Sequence, residues 1–168
     1  LKIPSGEITN GPFLLEYART NRDLMLSTGM STVEEIKAAL SVLAFGLTGG
    51  NSPSIHAFDA AFASEEGQCA LRMQVTLLHC TSQYPASIGS ANLKALASMQ
   101  AAFGLRIGYS DHTAGTIVTC AAVALGARAI EKHFTLDKTL TGPDHAASLE
   151  PPELRQMVER IRIVEQAL

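Results

Sequence analysis

Two histidines occupy matching positions in two successive segments, each of which reads as a buried strand ending in polar residues. His112 lies in YSDHT at residues 109–113, and His133 lies in EKHFT at residues 131–135. Neighbouring parallel strands lie about 4.8 Å apart, so both imidazoles can bind one cation. Two neutral imidazoles leave positions open for water and substrate, which suits a catalytic Mn²⁺ or Mg²⁺ ion better than a closed structural zinc site. The spacing therefore predicts a Lewis-acid metal site that polarises a carbonyl oxygen.

A lysine and four serines fall at or just after the ends of the predicted strands. They are Lys2, Ser5, Ser27, Ser82 and Ser110. One fixed positive charge with several hydroxyl donors is how proteins hold a small phosphorylated or carboxylated substrate. Each serine alone is more often a turn or cap residue, so the prediction of an anion site depends on the whole set.

Three other side chains are candidates for binding a hydroxyl-rich ligand or for moving protons: Glu7, Tyr84 and Asp144. Asp144 lies in GPDH at residues 142–145, a sequence that also fits an ordinary turn. We expect Asp111 to orient its neighbour His112. We expect Glu131 to face the opposite side of its strand from His133, with at most a supporting role.

The elements that must position these residues alternate between strand and helix. Strand-like runs occur at residues 1–3, 24–26, 74–79, 106–108 and 127–131, and helical patterns occur at residues 11–19, 32–45, 91–103, 115–125 and 151–167. This alternation predicts a parallel sheet with crossover helices. Residues 49–71 have no clear period, and we interpret them as a surface excursion with a short helix at residues 58–64.

Five strand-helix units fit either a doubly wound sheet or part of a TIM-type (β/α)8 barrel. The polar candidates follow five different strands, which is where barrel enzymes build their sites. A dinucleotide-binding sheet would carry G-x-G-x-x-G after its first strand, and the sequence lacks it. We therefore predict an α/β fold of the barrel type.

Composition excludes several classes of protein. The 168 residues are 46% hydrophobic, enough to bury a core in one domain. A net charge of −3 and a pI near 5.9 give no basic field for nucleic acid. The apolar run at residues 117–130 is too short to span a membrane, and no signal peptide opens the sequence, so we expect a cytoplasmic protein without membrane or nucleic-acid partners. Three cysteines at unrelated spacings argue against a disulfide framework.

Six motifs resemble, in order, those of the bacterial sialic acid synthases. They are KIPSGE at residues 2–7, LSTGM at 26–30, HCTSQYP at 79–85, YSDHT at 109–113, EKHFT at 131–135 and GPDH at 142–145. The resemblance covers nearly the whole chain, and residues 49–71 are the part unlike the family.

The resemblance implies a (β/α)8 barrel that condenses phosphoenolpyruvate with N-acetylmannosamine, or a related 2-acetamido sugar, to a nine-carbon 2-keto acid and phosphate. It assigns a divalent metal, usually Mn²⁺ with Mg²⁺ or Co²⁺ as alternatives, to His112 and His133. It assigns phosphoenolpyruvate to the lysine and the four serines, and the sugar to Glu7, Tyr84 and Asp144. We count Glu7 with the two histidines as catalytic.

The same resemblance predicts that residues 1–168 are the C-terminal part of the barrel, without its first strands and without the antifreeze-like domain that follows it in the family. The full-length protein would be a homodimer, and the isolated chain would be weakly active or inactive. Pseudaminic acid synthase, legionaminic acid synthase and a noncatalytic barrel fragment remain alternatives. A synthase acting on a phosphorylated sugar would need a second phosphate clamp, and no pair of arginines is placed to form one.

Overall fold

The computed structural model describes residues 1–168 and contains five strands and seven α-helices. The strands are β1 (Lys2–Ile3), β2 (Leu24–Ser27), β3 (Val75–Cys80), β4 (Arg106–Asp111) and β5 (Ile130–Lys132). The helices are α1 (Gly11–Arg19), α2 (Val33–Leu47), α3 (Ile55–Ala63), α4 (Glu65–Gln74), α5 (Lys94–Phe103), α6 (Ile117–Ala124) and α7 (Pro151–Gln166). The strands are hydrogen-bonded in the order β1-β2-β3-β4-β5, and at least one helix lies in each connection. This sequential order is that of part of a (β/α)8 barrel.

The chain divides into two compact units. The first comprises Leu1–Leu77 with Gly104–Arg106, and the second comprises Leu78–Phe103 with Ile107–Leu168. In the first unit β1 pairs in parallel with β2, and α1 packs on α2. The two helices approach closely at Gly46, where an added Cβ would stand 2.5 Å from the Cβ of Ala18.

Residues 49–71, expected to form a surface excursion with one short helix, carry α3 and most of α4. Both helices begin at a serine whose hydroxyl accepts a backbone N–H: Ser54 accepts from Ala57, and Ser64 accepts from Gly67. No residue of α3 is buried, and α4 buries few. Without a long apolar stripe, these helices lack the periodicity by which amphipathic helices are recognised.

In the second unit β4 and β5 pair in parallel, with Tyr109 opposite Ile130 and Asp111 opposite Lys132. The strands approach closely at Gly108, where an added Cβ would stand 2.6 Å from the carbonyl oxygen of Ala129. Helices α6 and α7 pack against each other in this unit. None of the helices is long and apolar enough to cross a membrane.

The ends of β4 and β5 fix the positions of the candidate residues. Strand β4 extends to Asp111, beyond the predicted residues 106–108, and β5 is confined to Ile130–Lys132. His112 and His133 are therefore each the first residue after a strand. Side chains alternate between the two faces of a strand, so Ser110 and His112 share a face that Asp111 does not.

Candidate active site

The structure brings His112 and His133 together in the second unit. Their ring centroids lie 5.5 Å apart, and the ring planes are nearly perpendicular, at 89°. His112 is buried, with 9% of its surface exposed, and the His133 side chain is 34% exposed. The pair thus has one imidazole fixed in the protein and one that reaches toward solvent.

The tautomer of His112 follows from its hydrogen bond to the chain. Its Nδ1 lies 2.5 Å from the carbonyl oxygen of Thr81. A carbonyl oxygen can only accept, so Nδ1 carries the proton, and in the neutral ring Nε2 carries the lone pair. Burial is the largest effect on the pKa of His112 and, with the neighbouring His133, lowers it, which favours this neutral form.

Ser110 lies beside that lone pair and is itself held by Glu131. The Oγ of Ser110 is 3.2 Å from Nε2 of His112 and donates its proton to Oε1 of Glu131 at 2.7 Å. A hydroxyl has one proton, so Ser110 does not donate to His112 in this arrangement. The lone pair of Nε2 remains available to a cation or to an O–H donor.

The expected side of the strand for Glu131 is wrong, while its contact with Ser110 agrees with the expected supporting role. Glu131 precedes His133 by two residues, and alternation in a strand places such residues on the same face. The contact with Ser110 shows that the Glu131 carboxylate lies on the face occupied by Ser110 and His112. Counting two residues along the strand would have placed this carboxylate at the site from sequence alone.

Tyr84 stacks on the histidine pair. Its ring centroid lies 4.1 Å from that of His112 and 5.2 Å from that of His133. The residue is 52% exposed, so one face of the ring covers the imidazoles while the rest faces solvent. Partial burial, followed by the nearby thiol of Cys80 and nearby carboxylates, raises the pKa of Tyr84, so the phenol stays protonated near neutral pH.

Asp144 approaches the pair from the segment between β5 and α7. Its Oδ2 lies 3.8 Å from Nδ1 of His133, and its side chain is 50% exposed. The backbone carbonyl of Asp144 accepts from the hydroxyl of Ser148, which anchors the segment next to the carboxylate. Ser82, two residues after β3, is exposed.

The other four candidates belong to the first unit. Lys2 lies within β1, and Ser27 is the last residue of β2 and is buried. Ser5 and Glu7 form the ends of a single turn of 3-10 helix just after β1, and Glu7 accepts a hydrogen bond from Asn10 at 2.7 Å. All four thus lie in or within a few residues of the first two strands, as the sequence suggests.

The donor set fits a divalent cation held by two imidazoles. His112 presents a neutral Nε2 lone pair, and the partly exposed ring of His133 lies 5.5 Å away between centroids. The structure contains no group of three or more His, Cys, Asp or Glu side chains placed to hold one ion. Such a set differs from closed structural sites, whose four positions the protein fills.

Comparison with known proteins gives consistent matches along the chain. A profile of the NeuB family matches residues 1–168. The N,N'-diacetyllegionaminic acid synthase of Campylobacter jejuni is 48% identical over 167 residues, which cover 99% of this chain and 43% of that protein. The N-acetylneuraminate-9-phosphate synthase of Mus musculus is 36% identical over 99% of this chain and 40% of its own length.

A solved structure agrees with these matches. The crystal structure of N-acetylneuraminic acid synthetase from Leptospira borgpetersenii, in complex with citrate, superposes with a TM-score of 0.79 at 33% identity. The superposition covers 99% of this chain and 50% of that one. The prediction of a partial (β/α)8 barrel is confirmed. The chain spans half or less of the length of the relatives it matches.

Proposed function

The chain belongs to the NeuB family of nonulosonic acid synthases, and we propose that the protein containing it is a transferase that condenses phosphoenolpyruvate with N-acetylmannosamine or a related 2-acetamido sugar. The products would be a nine-carbon 2-keto acid of the sialic acid type and phosphate. The observation that carries the proposal is the pairing of His112 and His133, with the Nε2 lone pair of His112 available.

His112 and His133 would hold a divalent cation, Mn²⁺ in the first instance with Mg²⁺ or Co²⁺ as alternatives. When bound, the cation would supply Lewis-acid polarisation of the open-chain sugar aldehyde. His112 contributes a neutral ring whose tautomer is fixed by the Thr81 carbonyl. Such a hydrogen bond on the second ring nitrogen is the usual way in which a metal-binding histidine is oriented.

The reaction we propose forms a carbon–carbon bond and breaks a carbon–oxygen bond. C3 of the enol phosphate attacks the aldehyde carbon, water adds at C2, and the resulting tetrahedral intermediate expels phosphate. Fixed hydroxyl donors and the lysine stabilise the charges that develop on the carboxylate and phosphate oxygens. We assign phosphoenolpyruvate to Lys2, Ser5, Ser27, Ser82 and Ser110, on the resemblance of their motifs to the family.

The surroundings of Ser110 and Tyr84 bear on these roles. Glu131 accepts the proton of Ser110, so Ser110 would donate to phosphoenolpyruvate only after its hydroxyl rotates away from Glu131. One face of the Tyr84 ring packs on the imidazoles, and its exposed part can contact a bound sugar and exclude water from one side. We assign Glu7 and Asp144 to sugar hydroxyl groups, and the half-exposed Asp144 carboxylate lies 3.8 Å from His133.

An acceptor sugar with two acetamido groups has separate support from the comparisons. The relative that is 48% identical is named for N,N'-diacetyllegionaminic acid, whereas the relative named for N-acetylneuraminate 9-phosphate is 36% identical. This difference favours an acceptor with two acetamido groups over one with a phosphate. Pseudaminic acid synthesis is a third alternative, which an acceptor panel would also test.

The whole reaction is proposed for the protein that contains this chain, since the matched relatives are more than twice as long. We propose that the remaining barrel strands and a terminal antifreeze-like domain complete the active protein, as a cytoplasmic homodimer. A noncatalytic fragment is the alternative. It predicts that the flanking coding sequence lacks those strands.

The experiment is an acceptor panel with the full-length protein. Phosphoenolpyruvate, Mn²⁺ and one sugar are incubated, and phosphate and 2-keto acid are measured together. The panel contains N-acetylmannosamine, its 6-phosphate and a 2,4-diacetamido hexose. Equal amounts of both products with an unphosphorylated acetamido sugar would support the proposal. Release of phosphate without keto acid of the expected length, or no dependence on a divalent cation, would contradict it.

A further inference from the structure

A buried ion pair joins β4 to β5 on the face opposite the histidines. Nζ of Lys132 lies 3.1 Å from Oδ2 of Asp111, and the two side chains are only 3% and 0% exposed. The two residues are register partners in the parallel ladder. Since side chains alternate, this pair is directed away from Ser110 and the imidazoles.

We infer that this ion pair positions His112 and His133 relative to each other. Asp111 directly precedes His112, and Lys132 directly precedes His133. The ammonium of Lys132 also donates to the backbone carbonyl of Thr113, the residue directly after His112. One ammonium therefore holds the chain on both sides of His112 while its own backbone leads into His133.

The Asp111 carboxylate is fully occupied. Oδ1 accepts from the backbone N–H of Thr113 at 2.8 Å and from its hydroxyl at 2.7 Å. Oδ2 accepts from the hydroxyl of Thr119 in α6 at 2.5 Å, in addition to Lys132. The network thus connects the end of β4 with the end of β5 and with the helix behind them.

Stability alone does not explain such a pair. Desolvation offsets much of the attraction between buried charges, and well-packed apolar residues of similar volume often give equal or greater stability. Charged hydrogen bonds differ from apolar contacts in direction, since each donor must face its acceptor. The geometry of the pair therefore fits the orientation of two strand ends better than it fits a source of folding energy.

The inference rests on the proposed metal site, and its test separates the two. In the full-length protein we would compare wild type, Lys132→Met, and the double variant Asp111→Asn with Lys132→Met. Methionine keeps the apolar stem, and asparagine keeps an oxygen for Thr113. Met157→Ala, a core truncation in α7, is the control for loss of stability without a change in the pair.

Three quantities are measured: unfolding by urea, Mn²⁺ affinity from the EPR signal of free Mn²⁺, and the NMR signal of the His112 Nδ1 proton. Lys132→Met should be less stable than wild type, because it leaves a buried carboxylate without its cation. The double variant should recover stability. The Mn²⁺ affinity of the double variant should be about 10–100-fold weaker than that of wild type, as when other groups that orient metal ligands are lost. Its His112 Nδ1 proton should exchange with solvent faster than in wild type.

Recovery of stability together with wild-type Mn²⁺ affinity and a wild-type Nδ1 signal would overturn the inference, since the pair would then be structural only. If wild type binds no Mn²⁺, the proposed metal site fails, and the Nδ1 signal alone decides the positioning role. If the double variant does not fold, Thr119→Val removes one donor to Asp111 without stranding a charge. A smaller change of the same two signals would then support the inference, and unchanged signals would overturn it.

Discussion

Replacing His112 by asparagine separates the structural from the chemical role of its ring. The amide nitrogen of asparagine reaches the position of Nδ1 and can still donate to the Thr81 carbonyl. It places nothing at Nε2. We therefore expect His112→Asn to fold normally and to lose binding of Mn²⁺.

The magnitudes follow from the contacts of the ring. His112→Ala removes the hydrogen bond and leaves the part-buried Thr81 carbonyl without its donor, which costs about 1 kcal/mol. It also removes the ring contact with Tyr84, worth about 0.5–1.5 kcal/mol. His112→Asn keeps the hydrogen bond and loses the ring contacts with Tyr84 and His133, so its free energy of unfolding should fall by about 1 kcal/mol.

Metal affinity should behave differently. Loss of a group that only orients a ligand typically weakens binding about 10–100-fold, so loss of the ligand nitrogen should weaken it by at least that much. Unfolding by urea gives the stability, and the EPR signal of free Mn²⁺ gives the affinity. His112→Gln, which places its amide near Nε2 rather than Nδ1, is the matched control. Wild-type Mn²⁺ affinity in His112→Asn would refute the assignment of His112 as a ligand.

Other predictions test the strand spacing, the segment before α7 and the cation. Gly108→Ala should destabilise the protein by about 1–3 kcal/mol in urea unfolding, because its Cβ would meet the Ala129 carbonyl; unchanged stability would contradict the close approach. Lys138 donates to the Glu153 carboxylate and lowers its pKa below the ordinary 4.5. The ionised carboxylate therefore stabilises the folded protein above pH 4.5, and this stabilisation is lost as the pH falls through the lowered pKa. Lys138→Met should raise the pKa of Glu153, measured by NMR titration, although the Glu150 N–H still lowers it, and a pKa equal to that of the wild type would count against the ion pair. Chelation should abolish keto-acid formation and Mn²⁺ should restore it; activity that survives exhaustive chelation would argue against a metal role.

Much of the fold was predictable because local signals and tertiary structure agree. Helix α1 has the predicted bounds: Asn10 accepts from the first turn, and proline occupies a position where its missing N–H costs nothing. Thr32 and Glu35 form a capping box at the start of α2, a pattern that can be read from the sequence. Both signals are local in sequence, so they do not depend on the rest of the fold.

Helix α4 was not predicted from the sequence, and the reason is physical. Its buried residues are Gly67 and Leu71, which do not make an apolar stripe. Gly67 in the first turn also lowers helix propensity. The usable signal was Ser64 followed by Glu65 and Glu66, a capping serine with acidic residues in the first turn.

The candidate site shows the same division between local and nonlocal information. The two histidines were identified from strand patterns, and Glu131 needed only correct counting along β5. The stacking of Tyr84 on His112 depends on how a loop after β3 folds, and no periodicity encodes it. The contact of Asp111 with Lys132 depends on the register of two strands separated by a helix. Register is set by packing of the whole sheet, so a single segment does not reveal it.

The most direct test of the account follows the carbon atom that forms the new bond. The full-length protein is incubated with Mn²⁺, the acetamido sugar selected by the panel, and phosphoenolpyruvate isotopically labelled at C3. We expect NMR to show the label in the methylene group of a 2-keto sugar acid, in step with phosphate release, and we expect His112→Asn to abolish the signal. Label found only in pyruvate, or a signal that His112→Asn leaves unchanged, would contradict the proposed condensation at the two histidines.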